Sequence, residues 1–247
     1  MQMRIITNWD GVICLMRGEV AVEVRGLCVA RGDRWVLRGL DLDVEAARLT
    51  AVTGANGSGK STLLEVVAGL RPAGAGSVLH RAPRARAGRP DVAYVPQHTP
   101  ESATVPLTVR EVVSMGRWAA RGPWRRLDRE DRAVVADAME LLDVTDLGRR
   151  RLDSLSGGQR QRALVARAVA QQASVMLLDE PTTGLDDRSR DRLVSGLLRC
   201  AEVGTAVLAA THDEQLAGRA SLCLVMNDGR RADRDAVPGS AVAVAAG

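Results

Sequence analysis

The chain has 247 residues, of which 46% are hydrophobic and 26% charged, a balance typical of one large globular domain. Its net charge of +4 arises from basic residues interleaved with Asp and Glu along the chain, so a nucleic-acid partner is not expected. No apolar run approaches the length that spans a bilayer, so a role at a membrane would require a separate membrane subunit.

Hydrophobic alternation and helical periodicity predict the elements of the first hundred residues. Residues 1–15 match no pattern and are interpreted as an N-terminal extension of unclear role, ahead of a domain that covers residues 16–235. AVEVRGL and RLTAVTG read as strands, and the second runs straight into a glycine-rich loop. KSTLLEVVAGL has helical periodicity, and the Gly and Pro residues that follow it end the predicted helix. DVAYVPQ predicts a further short strand.

The next region, about residues 106–153, is predicted to be an inserted helical subdomain because it shows helical periodicity and no strand pattern. Thr108 and Glu111 form a capping-box pattern that opens one helix, and Asp128 can cap a second. These signals place the insert between two parts of a larger domain.

Strand and helix patterns alternate again after the insert. SGGQRQRALVARAVAQQ and DDRSRDRLVSGLLRC predict helices, whereas SVMLLDE, TAVLAAT and SLCLVMNDG predict strands. This alternation predicts an α/β fold with a largely parallel sheet. Residues 236–247 are small and apolar, and we interpret them as a C-terminal tail.

The glycine-rich loop TGANGSGKST carries the first sign of chemistry. Gly54, Gly59, Lys60 and Ser61 match the P-loop (Walker A) pattern G-x-x-x-x-G-K-[ST] between a predicted strand and a predicted helix. The glycines let backbone N–H groups turn toward phosphate oxygens, and the positive end of the helix points at the same place. Lys60 is the only lysine in a chain with 34 Lys and Arg residues. A compact ammonium can reach the outer phosphates in this tight loop, where a planar guanidinium would not fit.

The loop therefore predicts a nucleotide site that includes a bound metal ion. The hydroxyl of Ser61 is expected to bind Mg²⁺. The predicted nucleotide-binding residues of the loop are Gly54, Ala55, Asn56, Gly57, Ser58, Gly59, Lys60, Ser61 and Thr62.

A pair of acids follows the apolar strand pattern of SVMLLDEP. Four apolar residues, Val175 to Leu178, predict a buried strand whose end presents Asp179 and Glu180. An acid at this point can hold Mg²⁺ through water, and a second acid can orient and deprotonate an attacking water. Asp179 and Glu180 are the candidates for these two roles, with Asp179 a candidate ligand of Mg²⁺.

The segment LSGGQ at residues 155–159 determines the family that this chain resembles. With the two phosphate motifs, Pro96–Gln97, Thr182–Asp186 and Thr211–His212, it is similar to the ABC-type ATPases, the nucleotide-binding subunits of ATP-driven transporters. The resemblance covers about Val20 to Gly229. It implies a P-loop NTPase core with a largely parallel sheet, an antiparallel β subdomain and the inserted helical subdomain.

Ser156 can cap the helix that follows it, and Gly157 and Gly158 leave the N-terminal amides of that helix open to an anion. The resemblance implies a head-to-tail dimer with a second ATPase subunit, in which Ser156–Gln159 of one subunit faces the γ-phosphate bound to Lys60 of the other. Asp186 is implied to help couple the two sites.

The resemblance also implies roles for three other residues. Gln97 is implied to touch Mg²⁺ and the attacking water, Glu180 to be the general base, and His212 to contact the γ-phosphate. Its implied ligands are ATP and Mg²⁺. We expect His80 and His98 to be surface or structural residues.

One position departs from the family pattern. The family usually stacks adenine on an aromatic residue shortly before VLRGL, where this chain has Arg31, with Trp35 four residues later. Either Trp35 or the Arg31 guanidinium can supply the stacking surface. Trp35 can equally be a partly buried packing residue.

The helical insert is similar to that of the ATPase subunits of metal-ion importers, of the zinc and manganese kind and of the related iron-chelate kind. Trp118 and Trp124 lie in it and can form a groove for a helix of a membrane partner or pack within the subdomain. The implied partners are integral membrane permease subunits and a solute-binding protein, with the chain peripheral at the cytoplasmic face of the membrane.

Two other classes of function are alternatives to a transport ATPase. One is a soluble ABC ATPase that serves iron–sulfur assembly or the ribosome, and the other is a nucleotide-binding regulator without hydrolysis. The presence of Glu180 and His212 argues against the regulator. The absence of a long heptad insertion argues against the DNA-repair relatives.

Overall fold

A computed structural model describes residues 18–81, 91–97, 106–122 and 126–232 of the chain. The extension proposed for residues 1–15 and the tail proposed for residues 236–247 lie outside these ranges, as do His98 and Trp124. No helix within the described ranges is long and apolar enough to cross a membrane.

The described residues form two sheets and seven α-helices. The strands are β1 (Val20–Arg31), β2 (Arg34–Glu45), β3 (Leu49–Gly54), β4 (Ala75–His80), β5 (Val92–Val95), β6 (Val175–Asp179), β7 (Ala206–Ala210), β8 (Leu222–Asn227) and β9 (Arg230–Arg231). The helices are α1 (Lys60–Val67), α2 (Val109–Ser114), α3 (Trp118–Arg121), α4 (Arg129–Leu141), α5 (Gly157–Ala170), α6 (Asp187–Glu202) and α7 (Glu214–Arg219).

The larger sheet has the strand order β5-β6-β7-β3-β8-β9, and all of its neighbouring strands are parallel except the pair β8 and β9. Every residue of β6 and β7 is buried, which explains why both strands are continuous apolar runs. Ala210 at the end of β7 pairs with Val52 of β3 and with Asp179 of β6. The sheet therefore brings the glycine loop after β3 and the acids at the end of β6 to the same edge.

The smaller sheet is antiparallel, with the order β2-β1-β4. The sequence patterns identified β1 but not β2 or β4. One buried cluster joins the inner side chains of this sheet to α1 and to one face of the parallel sheet. His80 at the end of β4 is half-buried, and its burial lowers the pKa of the imidazole. It does not line the cleft at the carboxyl ends of β3 and β6, and its role as a surface or structural residue stays a prediction.

The helical region covers the other face of the parallel sheet, where α2 and α4 pack against α5. The capping boxes at Thr108 and Glu111, and at Asp128 and Asp131, are present at the starts of α2 and α4, as the sequence predicted for the first. Within this region Arg117 forms a buried ion pair with Asp131, whose side chain is 0% exposed, at a distance of 2.9 Å. The fold is an α/β fold of the class that the sequence predicted.

Candidate active site

A cleft of about 530 Å³ opens at the carboxyl ends of β3 and β6. Of the residues predicted from the sequence, those lining it are Arg31, Trp35, Asn56, Gly57, Gly59, Lys60, Ser61, Thr62, Gln97 and Glu180. The cleft thus combines residues from the antiparallel sheet, the glycine loop and the end of β6.

Two glycines of the loop are required by backbone conformation and by close packing. Gly54 has φ +142°, and a Cβ atom there would lie 2.2 Å from the carbonyl oxygen of Met226. Gly59 has φ +104°, and a Cβ atom there would lie 2.7 Å from Cδ2 of Leu37. No other residue type can hold the loop in this shape against β8 and β2.

The start of α1 is suited to bind a phosphate. Side chains cap the starts of α2, α4, α5, α6 and α7, but α1 begins after Gly59 without a side-chain cap and has no acidic residue in its first turn. Its first backbone N–H groups therefore have no capping side-chain acceptor, and the helix dipole makes this end attractive to an anion. A triphosphate in the cleft would supply the acceptors.

Lys60 lies at the base of the loop with its side chain only 6% exposed. Its Nζ donates hydrogen bonds to the carbonyl oxygens of Gly54 at 2.8 Å and Ala55 at 3.2 Å. It also lies 3.8 Å from Oε1 of Glu180. A buried ammonium held this way has little freedom, so its charge is fixed at one point of the cleft.

Ser61 and Asp179 place two oxygen atoms beside Lys60. The Ser61 hydroxyl donates to Oδ1 of Asp179 at 3.1 Å, although Asp179 itself does not line the cleft. Burial raises the pKa of the Asp179 carboxyl, and the hydrogen bond from Ser61 partly opposes this. A hydroxyl and a carboxylate are hard oxygen ligands, and Gln97 adds an amide oxygen at the cleft wall, so the donor set fits Mg²⁺.

Glu180 and His212 form a close pair at the end of β6. Oε2 of Glu180 lies 2.7 Å from Nδ1 of His212, and the Glu180 side chain is 7% exposed. Glu180 has φ +49°, a conformation that non-glycine residues rarely adopt. Strain of this kind persists where the surroundings hold a functional side chain in place, here with the Glu180 N–H donating to the Ala210 carbonyl at 2.9 Å.

The segment Ser156–Gln159 lies outside the cleft of its own chain. Ser156 caps α5, with the Gln159 N–H donating to its hydroxyl at 3.3 Å, as the sequence predicted. A Cβ atom on Gly158 would lie 2.6 Å from Oγ of Ser189, so α6 explains this glycine. A Cβ atom on Gly157 would meet nothing within 4 Å, and its φ is not positive. No contact with the residues that the structure describes requires glycine at position 157.

The mouth of the cleft carries both residues proposed to stack on adenine. Trp35 is 50% exposed and Arg31 is exposed, and both line the cleft. The sequence patterns missed Arg34, Glu65 and Asp228, which also line it. Glu65 stands one helical turn beyond Ser61 in α1 and could have been found from the helix period. Arg34 and Asp228 reach the cleft through strand pairings that are not visible in the sequence.

The family model for ABC transporters matches residues 37–183, more than half of the chain. The chain belongs to the ABC transporter family. The chain is similar to the hemin import ATP-binding protein HmuV of Streptomyces coelicolor, with 42% identity over 81% of this chain and 72% of that protein. The manganese transport system ATP-binding protein MntB of Listeria monocytogenes is 34% identical over 78% of this chain and 80% of that protein. The zinc import ATP-binding protein ZnuC of Halorhodospira halophila is 40% identical over 82% of this chain and 73% of that protein.

Solved ABC transporter structures share the fold. A transporter described as of the metal-chelate ABC type, in an inward-facing conformation, has a TM-score of 0.76 and 30% identity, covering 87% of this chain and 82% of that one. A dimeric bacterial ABC transporter cassette has a TM-score of 0.71 at 22% identity, covering 86% and 97%. The second likeness bears on the fold alone. As a member of the ABC transporter family, the chain binds ATP and hydrolyses it.

Proposed function

We propose that this ABC ATPase energises the import of a metal ion, zinc or manganese, through a membrane permease. The main support for this proposal is that Lys60, Glu180 and His212 lie close together at one edge of the sheet. A transport ATPase needs such a group of residues to hydrolyse ATP. The similarity to the zinc and manganese ATP-binding proteins supports the choice of solute. A solute-binding protein would deliver the ion, and the chain would sit at the cytoplasmic face of the membrane.

A second candidate is the import of an iron chelate of the hemin type. The observation that favours it is the 42% identity to a hemin import ATP-binding protein over 205 residues. Both candidates use the same ATPase, because the permease and the solute-binding protein select the solute. A transport assay can distinguish between them.

In the proposed mechanism the glycine loop and the start of α1 bind the triphosphate, with Lys60 beside the outer phosphates. Ser61, Asp179 and Gln97 would hold Mg²⁺, which when bound neutralises charge on the phosphate oxygens. Glu180 accepts the proton of the attacking water through the oxygen that faces Lys60, since its other oxygen lies against His212. His212 fixes the carboxylate and contacts the γ-phosphate.

We further propose that two ATPase subunits close head to tail around the nucleotides. Gly157 supports this proposal because no contact in the described part of the chain explains why this position is glycine. Alanine at this position would stabilise the helix more than glycine does. The absence of a side chain is explained if a phosphate of the neighbouring subunit approaches the first turn of α5 closely. Closure would move the helical subdomains and, through them, two permease subunits. Trp118, which is 42% exposed, is available for contact with such a subunit.

At the mouth of the cleft we propose that Trp35 stacks on adenine. An indole that is half exposed on a nucleotide cleft gains contact area when a base covers it. Arg31 lies on the same cleft and is the alternative stacking surface.

The test of the proposed function compares cells that express the wild-type chain with cells that express Glu180→Gln, measuring uptake of radiolabelled zinc, manganese and hemin. We expect Glu180→Gln to abolish accumulation of zinc or manganese. The matched control is Glu202→Gln, the same chemical change at an exposed position at the end of α6, which should leave uptake unchanged. Loss of hemin uptake alone would favour the second candidate.

A non-transport role would show itself differently. If the chain purified from membranes brought no multi-span protein with it and Glu180→Gln changed the uptake of none of the three solutes, a soluble ABC ATPase would be the better explanation.

A further inference from the structure

One guanidinium contacts two segments that flank the proposed active site. Nε of Arg190, in the first turn of α6, lies 3.0 Å from Oδ2 of Asp213, an ionic contact in which the Nε–H does not form a hydrogen bond. Its Nη2 donates to the carbonyl oxygen of Leu185 at 3.3 Å, and its Nη1 pairs with Oδ1 of Asp187 at 2.6 Å.

Arg190 contacts one segment that begins at Glu180 and another that begins at His212, the two residues that form the close pair at the end of β6. The segment from Glu180 to Asp186 turns tightly, because the Thr183 N–H donates to the Glu180 carbonyl and the Leu185 N–H to the Thr182 carbonyl. Asp213 follows His212 directly along the chain. Arg190 therefore contacts both segments, the first at Leu185 and the second at Asp213.

The contacts differ in the strength they can supply. The Asp187 carboxylate is 93% exposed, so its pair with Arg190 contributes little in water. The Arg190 and Asp213 side chains are 27% and 14% exposed, so this pair is better shielded. Asp213 is also held rigidly, because its Oδ1 accepts the N–H of Gln215 at 2.9 Å as the cap of α7.

We propose that Arg190 is a positioning residue for hydrolysis, which fixes the Leu185–Asp187 segment relative to His212 and thereby sets the geometry of Glu180. A guanidinium suits this task because its charge attracts the Asp213 carboxylate while an Nη donor binds the Leu185 carbonyl, so one group contacts both segments at once. The inference rests on the proposed roles of Glu180 and His212. In the proposed dimer, Asp186 belongs to the segment implied to couple the two sites, so Arg190 would carry a shift of that segment to His212.

The test measures kcat and KM for ATP in the purified full chain with Arg190→Gln, Arg190→Lys and Asp213→Asn. Asparagine still caps α7 but loses the charge that faces Arg190. We expect kcat to fall about tenfold in Arg190→Gln and in Asp213→Asn while KM changes less than about twofold, since the loss lies in orientation and not in binding. Arg190→Lys should recover part of kcat. The double variant should be no slower than either single variant, because both remove one interaction.

The control is Gln215→Ala, which removes the neighbouring contact between the same two helices, the 2.6 Å hydrogen bond from Gln215 to Asp191. It should leave kcat unchanged if Arg190 acts through Asp213 and Leu185. The inference is overturned if kcat of Arg190→Gln and Asp213→Asn stays within twofold of wild type, if Gln215→Ala loses as much, or if the two losses multiply. Should Arg190→Gln fail to fold, Asp213→Asn decides alone.

Glu180→Gln, assayed in parallel, separates this inference from the proposed function. If Glu180→Gln keeps the wild-type kcat, the assignment of the site is wrong and the positioning role falls with it. If Glu180→Gln is inactive and Arg190→Gln is as fast as wild type, only the role of Arg190 is overturned.

Discussion

Replacing Gly157 with alanine should make the chain more stable and less active at the same time. A Cβ atom at this position meets nothing within 4 Å among the residues that the structure describes, and the backbone is compatible with alanine. Alanine favours a helix over glycine by about 0.5–1 kcal/mol, which should raise Tm by about 1–4 °C in a chain of this size. If the first turn of α5 faces a phosphate of the neighbouring subunit, the added methyl group should lower kcat by about 100-fold, as for a displaced oxyanion donor.

Gly158→Ala is the matched comparison for this prediction. Its Cβ atom would lie 2.6 Å from Oγ and 2.7 Å from Cβ of Ser189, so it should destabilise the chain by about 1–3 kcal/mol, as overpacking does. The two variants should thus move Tm in opposite directions while both lose ATPase activity.

The assays are thermal unfolding, steady-state ATP hydrolysis and ATP-dependent dimerisation in a Glu180→Gln background. We expect Gly157→Ala to prevent the dimer that Glu180→Gln alone forms with ATP. A Gly157→Ala chain that hydrolyses ATP at the wild-type rate and still dimerises would refute the placement of this helix end against a nucleotide.

The structure predicts the behaviour of three further variants. Asp131→Asn should cost about 3 kcal/mol, measured by urea unfolding, because it leaves buried Arg117 without its charged partner. Burial raises the pKa of the Asp131 carboxyl, but the hydrogen bonds from Arg117 and its other partners outweigh burial and hold this pKa below its ordinary value of 3.8. The ionised carboxylate therefore contributes its full stabilisation above pH 3.8, and this contribution is lost as the pH falls through the lowered pKa. Asp131→Asn should remove this acid-dependent loss from the profile of unfolding free energy against pH. Lys60→Arg keeps the charge but not the shape that fits between loop carbonyls at 2.8 and 3.2 Å, so titration should show ATP affinity about 100-fold lower, and near-normal affinity would contradict the geometric argument. Trp35→Ala should weaken ATP binding by about tenfold, measured by isothermal titration calorimetry. If Arg31→Ala weakens binding and Trp35→Ala does not, the arginine is the stacking surface.

The Glu180–His212 contact illustrates what tertiary structure adds to sequence motifs. The motifs named both residues, yet the 2.7 Å separation of their side chains results from β6 and β7 being neighbours in register. The role proposed for Arg190 has no sequence signal, because it depends on how α6 lies against the start of α7. The sequence also left open whether Trp35 is buried, and the structure places it half exposed at the cleft.

By itself the sequence determined the glycine loop, the helix caps and the order of strands and helices around the parallel sheet, since these depend on residues within a few positions of one another. Thr108, Asp128 and Ser156 begin their helices through bonds to residues three positions away. Only the tertiary structure decided that β2 and β4 join β1, because Val24 pairs with Leu42 and Val78, far along the chain. Local sequence patterns do not predict such pairings, because which strands pair depends on how side chains from the whole domain are buried.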